Sequence, residues 1–249
     1  MPIDSQDQLI NRIQYDPFFG EAVSFVLNKI GDFRDKVILD SGCGFGEMSV
    51  FFALQGARII GIDKSETAIE GAKKLAFSSH VENKCHFIHG CSETISLENA
   101  SIDIIFSRSA IQYMDRIKVL DQYMRILKPS GIIVLIENLP FNPFINLYRI
   151  RRKITARHPQ DIRYIDSICG YITIDDIDRL TTLFRYSDHQ EYHFVRMISI
   201  YMRLHFNHHN SVKKIDLLLS KVDHFLFDCF PFLRHYAWFA AFYFEEKIR

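Results

Sequence analysis

The chain has 249 residues, 48% hydrophobic and 14% aromatic, with 30 Lys plus Arg against 30 Asp plus Glu. That length fits one α/β domain, or one domain with an inserted cap, and it can bury a sizeable core. A zero net charge excludes a general pull towards nucleic acid or an anionic membrane, and no apolar run approaches the roughly 20 residues of a membrane-spanning helix.

From the N-terminus, Asp16-Pro17 predicts a helix start, with Phe19, Val23, Leu27 and Ile30 at helical spacing after it. Val37-Ile38-Leu39 reads as a strand ending at Asp40, followed by a glycine-rich turn over Ser41 to Gly46 and an apolar helix from Glu47 to Gln55. Arg58 to Ile62 is a second strand, and Ser65 caps the next helix, which carries Ile69, Ala72 and Ala76. Cys85 to Ile88 and Ile102 to Phe106 continue the strands, and Asp115 opens a helix that Lys128-Pro129-Ser130-Gly131 stops. Ile132 to Ile136 is continuously apolar, as expected of a strand buried on both faces. Strands alternating with helices imply a parallel sheet with right-handed crossovers.

The second half is less regular. Residues 138–170 hold Pro140, Pro143 and Pro159 and a basic stretch from Arg149 to Arg157, and they read as an insertion. Thr173 and Asp176 form a capping box for a helix through Ile177, Leu180 and Phe184. A strand is expected over Glu191 to Val195, a helix over Ile215 to Cys229, and a final strand over Tyr236 to Phe244. The last two strands are then separated by a long aromatic-rich segment. Residues 138–170 and 196–235 are therefore expected to form a helical cap on a single domain spanning 1–249, with an aromatic wall for a bulky apolar ligand. A dimer interface or plain core are the other uses of those aromatics.

Cysteines 43, 85, 91, 169 and 229 include no C-x-x-C pair, which favours free thiols in a reducing compartment. The segment M-P-I-D-S-Q-D-Q lacks the basic and apolar regions of a signal peptide, and a cytoplasmic location is expected. His205, His208 and His209 have no cysteine or acidic partners at ligand spacing, so no metal is expected.

The strongest signal is Asp40-Ser41-Gly42-Cys43-Gly44-Phe45-Gly46, between a strand and a helix. Open α/β sheets bind their ligands there. Asp63, 17 residues after Gly46 at the end of the next strand, can accept both hydroxyls of a ribose. A dinucleotide site wants G-x-G-x-x-G with a helix N-terminus facing a pyrophosphate. Here the spacing is G-x-G-x-G, and Glu47 opens the helix, where it would repel a pyrophosphate. A ligand without phosphate and with positive charge suits these carboxylates better.

Val37 to Gly46 resembles the first motif of the class I, Rossmann-like S-adenosyl-L-methionine (SAM) methyltransferases, and Asp63 the acidic residue of their second. Asp103-Ile104-Ile105-Phe106-Ser107 resembles their fourth-strand motif, and Arg125 to Gly131 resembles their R-x-L-K-P-G-G turn. The resemblance covers roughly residues 15–137 and is nearest to the small-molecule branch (methyltransferase type 11, including quinone-biosynthesis enzymes). It implies a three-layer sandwich on a mostly parallel seven-stranded sheet, with the last strand antiparallel.

It also implies roles. Asp40, Gly42, Cys43, Gly44 and Gly46 would line the methionine part of SAM; Asp63 would hold the ribose, and Lys64 would lie under the adenine. Ser107 would offer its carbonyl to the ammonium. Cys91 and Ser92 stand where many relatives place an adenine-binding aspartate, a departure that leaves that contact to backbone groups. Tyr15 resembles the aromatic of an N-terminal lid.

Methyl transfer is an in-line displacement that needs alignment and exclusion of water, and a base only when the acceptor must lose a proton. Gln112 and Tyr113, after the fourth strand, and Glu137, at the end of the fifth, are the candidates for positioning the acceptor. The expected function is methyl transfer to O, N or C of a small, partly apolar metabolite. The alternatives are a phosphorylated or lipid-linked acceptor held by Arg149 to Arg157, and a non-catalytic SAM-binding protein. Nucleic acid is not an expected partner; a homodimer and peripheral membrane contact remain open.

Overall fold

Short apolar segments rich in Ile and Val assemble the centre of the fold. The computed structural model describes residues 6–16, 18–158, 163–199, 202 and 209–248. Its sheet comprises β1 (Val37–Ser41), β2 (Arg58–Asp63), β3 (Cys85–His89), β4 (Ile102–Arg108), β5 (Leu127–Asn138), β6 (Phe184–Tyr192) and β7 (Phe239–Lys247). The spatial order is β3-β2-β1-β4-β5-β7-β6. β1 to β5 pair in parallel, and β7 runs antiparallel between β5 and β6. The order reverses beside β1, which opens a crevice at the carboxyl ends of β1 and β4.

The α-helices are α1 (Gln6–Gln14), α2 (Gly20–Ile30), α3 (Glu47–Leu54), α4 (Glu66–Ser78), α5 (Arg116–Ile126), α6 (Pro143–Thr155), α7 (Arg163–Asp166), α8 (Ile174–Leu183) and α9 (His209–Cys229). One core layer joins α1 to α4 to the sheet around Phe52, Phe106 and Val134. The other joins α5 and α8 to the opposite face around Tyr123, Ile133 and Leu135. Phe52 and Phe106 are fully buried and meet edge-on at 5.2 Å. Each such burial contributes roughly 2–3 kcal/mol.

The three-layer sandwich and the antiparallel last strand are as the resemblance implied. Ser65, Asp115 and the Thr173–Asp176 capping box each cap the expected helix. Several boundaries differ. α2 begins at Gly20, because the Asp16 carboxylate caps an earlier turn by accepting from the amides of Phe18 and Phe19 at 2.7 Å. Helix α1, a nine-residue segment whose apolar face is limited to Leu9, Ile10 and Ile13, was not expected.

The sixth strand lies at Phe184–Tyr192, not Glu191 to Val195. Its sequence is polar because it is an edge strand, and cross-strand pairing with Phe239–Lys247 overrides its weak propensity. Phe184 is therefore a strand residue and not the end of the preceding helix. The last strand is shifted by three residues from Tyr236 to Phe244, because Pro231–Tyr236 forms a 3-10 turn.

The 138–170 segment holds α6 and α7, and α9 fills much of 196–235. Asn142 anchors this region. It is fully buried; its Oδ1 accepts from Ile145 N at 2.9 Å and caps α6, while its Nδ2 donates to the carbonyls of Tyr236 (2.9 Å) and His193 (3.2 Å). α9 is tied down from beneath. Its buried Asp216 pairs with Arg196 at 3.0 Å, and its Asp223 accepts from the amides of Phe194 and Val195.

Candidate active site

The glycine turn is built by backbone hydrogen bonds that tie it to the neighbouring strand. The amides of Gly42 and Cys43 donate to the Ile62 carbonyl at 2.8 and 3.0 Å, and the Gly44 amide donates to Asp63 Oδ2 at 2.9 Å. Gly42 has φ +74°, and a Cβ there would stand 2.3 Å from the Cβ of Ala110. Gly46, φ +79°, lets α3 start against α4, where a Cβ would lie 2.7 Å from that of Ala72.

Two cavities meet across Gly42 and Arg108. One, of about 260 Å³, is lined by Asp40, Gly44, Phe45, Glu47, Met48 and Phe106 among others. The second, of about 210 Å³, is lined by Asp63, Lys64, Cys91, Ser92, Ser109 and Tyr113 among others. The two form one elongated crevice with carboxylates along its floor. Asp63 spends one lone pair of each oxygen, on Gly44 N and on Ser65 N at 2.9 Å, and keeps acceptor capacity for a pair of hydroxyls. Asp40 is buried and accepts from Ser49 Oγ at 2.5 Å; burial raises its pKa to about 6. Arg108, whose guanidinium lies 5.4 Å from the Phe19 ring centre, is the cation facing these acids.

Acceptors for two hydroxyls at one end, and acids beside one guanidinium at the other, fit a nucleoside joined to a zwitterionic, positively charged amino acid. The Ser41 and Ser92 hydroxyls are hydrogen-bonded at 2.7 Å behind the nucleoside end. Lys64 Nζ sits 5.7 Å from the centre of the Tyr113 ring on the opposite wall. Burial raises the phenol pKa of Tyr113.

Asp40, Gly42, Cys43, Gly44, Asp63, Lys64, Cys91, Ser92 and Tyr113 all line the crevice. Other candidates have different positions. Gly46 supports the turn from behind. Ser107 is fully buried, and its Oγ donates to Glu137 Oε1 at 2.8 Å. Glu137 is equally buried; Oε1 also accepts from Ala110 N and Ile111 N at 3.2 and 3.3 Å, and burial raises its pKa to about 7. It holds the loop after β4 from inside instead of pointing to the rim.

Gln112 is buried as well. Its Oε1 accepts from Asn138 Nδ2 at 3.2 Å, and its carbonyl accepts from the amides of Cys169 and Gly170. Tyr15 is 79% exposed and lines neither cavity. His205 and His208 lie outside the described residues. Sequence reasoning missed Arg108, whose one signal was its place directly after Ser107 at the strand end. It also missed Phe45, whose ring lies over Gly71 and would stand 2.4 Å from a Cβ there.

A third cavity, of about 520 Å³, shares no lining residue with the crevice. Leu139, Pro140 and Phe141 come to it from one candidate insertion and Pro231, Arg234 and His235 from the other, facing Phe242 of the sheet. Gln112 and Asn138 link the two regions, because their chain neighbours Tyr113 and Leu139 line the crevice and this cavity respectively.

Fold and crevice together define a Rossmann-like α/β domain with an open crevice at the carboxyl ends of β1, β2 and β4. Residues 39–135 match the methyltransferase domain family. It is 29% identical over 140 residues to the malonyl-[acyl-carrier protein] O-methyltransferase of Yersinia pestis, covering 54% of this chain and 50% of the relative. It is 25% identical over 234 residues to the protein arginine N-methyltransferase PRMT10 of Oryza sativa subsp. japonica, covering 88% of this chain and 58% of that one. The chain thus spans about half the length of curated relatives it matches.

Among solved structures it resembles the YcgJ protein of Bacillus subtilis (TM-score 0.59, 16% identity, covering 92% of this chain and 99% of that one). It also resembles geranyl diphosphate C-methyltransferase of Streptomyces coelicolor (TM-score 0.62, 11% identity, 97% and 84% covered). These two share the fold. No described helix is long and apolar enough to cross a membrane.

Proposed function

We propose that this chain transfers the methyl group of SAM to O, N or C of a small, partly apolar acceptor. The observation that carries the reading is the pairing of Asp63, with two acceptor oxygens at one end of the crevice, and Asp40 facing Arg108 at the other. SAM supplies an activated methyl on a sulfonium. Asp63 holds the ribose hydroxyls, Cys91 and Ser92 border the adenine, and Asp40 faces the positive methionine end. Arg108 takes the methionine carboxylate. Tyr113, carried on the loop fixed by Glu137, walls the crevice, helps to exclude water and orients the acceptor.

The segments 138–170 and 196–235 act as the cap, and the 520 Å³ cavity that both border receives the apolar part of the acceptor. All five cysteines are free thiols, which supports a reducing, cytoplasmic setting.

Calorimetric titration with SAM and S-adenosylhomocysteine, on wild type and on Asp63→Ala, tests the reading. Binding by wild type and its loss in the variant are expected, and they justify screening acceptors by methyl transfer. Correctly folded wild type that binds neither compound would sink it.

A further inference from the structure

α6 is inside out. A helix on a protein in water turns its apolar stripe to the core and its charges outward. In α6, Ile145 is the buried apolar residue, while Leu147, Ile150 and Ile154 stand 65%, 56% and 78% exposed. Their spacing of three and four places them on one outward face. Arg151 and Lys153, both exposed, flank that stripe on either side, Lys153 with its ammonium 3.0 Å from Asp166 Oδ1 and Arg151 pointing outward without an acid beside it among the ion pairs of the described residues. Arg149 turns the other way, over the Tyr171 ring at 5.0 Å. Residues 138–158 hold five Lys plus Arg and no Asp or Glu, although the whole chain is neutral.

α9 repeats the inversion. Its buried face carries Asp216, Ser220 and Asp223 beside Phe227, and its outward face carries Leu217, Leu218 and Phe225 with exposed Lys214 and Lys221 and one exposed acid, Asp228. The two helices belong to one structural unit, linked by the Phe144–Phe194 and Phe194–Phe227 ring contacts at 6.1 and 6.5 Å.

An apolar stripe edged with cations is the pattern of a helix lying in a lipid interface: the stripe enters the acyl boundary, and the long basic side chains reach the headgroups. We infer that the outward faces of α6 and α9 dock on an anionic bilayer surface. Charge selects this occupant. A second copy meeting these faces would oppose Arg151, Lys214 and Lys221 to cations of their own kind, whereas anionic headgroups neutralise them. Asn142, capping α6 and bonded to the turn after α9, holds the two elements for joint contact. This surface lies outside the crevice residues, so the inference does not depend on methyl transfer.

Flotation of the full chain with phosphatidylcholine vesicles, with and without phosphatidylglycerol, tests it. Wild type is expected to float with the anionic vesicles, to bind neutral ones far more weakly, and to be released by salt. Arg151→Gln with Lys221→Gln should weaken binding about thirtyfold, at about 1 kcal/mol per cation near the surface. Ile150→Ser with Ile154→Ser should abolish it with every charge kept. S-adenosylhomocysteine binding by each variant reports an intact fold and scores the methyltransferase reading separately. Failure of wild type to float, equal binding to neutral vesicles, or variants that float like wild type would each overturn the inference. So would a dimer in vesicle-free buffer that Ile150→Ser with Ile154→Ser dissociates, which would give the face to a second copy.

Discussion

Gly42 of the glycine turn and Ala110 of the loop after β4 touch across the waist of the crevice, so closely that a Cβ on Gly42 would lie 2.3 Å from that of Ala110. Two segments 68 residues apart in sequence thus define one binding surface. Gly42→Ala adds the clash to a left-handed backbone that disfavours a side chain. It should cost roughly 3 kcal/mol or more in stability, read by urea denaturation, and S-adenosylhomocysteine binding should disappear. A stable variant that still binds would show that the loop yields freely.

Asp40 gives the crevice a pH response. Burial raises its pKa to about 6, so its charge, the form that attracts a sulfonium, fades as the pH falls through that value. SAM affinity should rise between about pH 5 and about pH 7 and level off above. Asp40→Asn should flatten that rise and bind about tenfold more weakly at neutral pH. Calorimetry across the pH range checks both; a wild-type affinity independent of pH would contradict the assignment.

Arg108 lines both halves of the crevice and faces Asp40. If it takes the methionine carboxylate, Arg108→Met should weaken S-adenosylhomocysteine binding roughly tenfold to a hundredfold, the range of a hydrogen bond to a charged group. Adenosine, which has no carboxylate, should bind both proteins equally. Equal losses for the two ligands would point to a general collapse of the crevice.

Glu137 should act on stability. Its pKa is raised by burial to about 7. Its protonated form is favoured in the folded state, so the stabilisation is fully present below the unfolded carboxyl range and is lost as pH rises through about 7. Glu137→Gln keeps an acceptor for Ser107 Oγ and the loop amides without the ionisation. Relative to wild type, the variant should gain stability between about pH 5 and about pH 7, by roughly 1 kcal/mol per pH unit within that window, and the difference should level off above it. Urea midpoints over a pH series measure this, and a difference independent of pH would count against it.

The sheet and the cofactor crevice were legible in the sequence because their signals are local. β1, β2 and β4 are short apolar runs, each ending at a turn, and the glycines at 42, 44 and 46 must accept φ values that other residues resist. Asp63 was legible from its register to that turn. β6 was misplaced because an edge strand of mixed polarity takes its identity from its partner, β7, which lies 46 residues further on.

Tertiary structure alone decided what the rim residues do. Glu137 and Gln112 look like reactive side chains in a sequence, but the packing of the β4 loop on β5 turns them inward, where Glu137 accepts from Ser107 Oγ and the loop amides and Gln112 accepts from Asn138. The same holds for Arg108, which meets Asp40 of β1 and the Phe19 ring at the start of α2, and for α6. Its alternation of Arg with Ile and Leu fits either burial pattern, and only the anchoring of Ile145 and Asn142 turns the apolar stripe outward. Chain-local preferences for turn, strand and cap are written in neighbouring residues. The direction a side chain faces depends on segments far apart in the chain that meet only on folding.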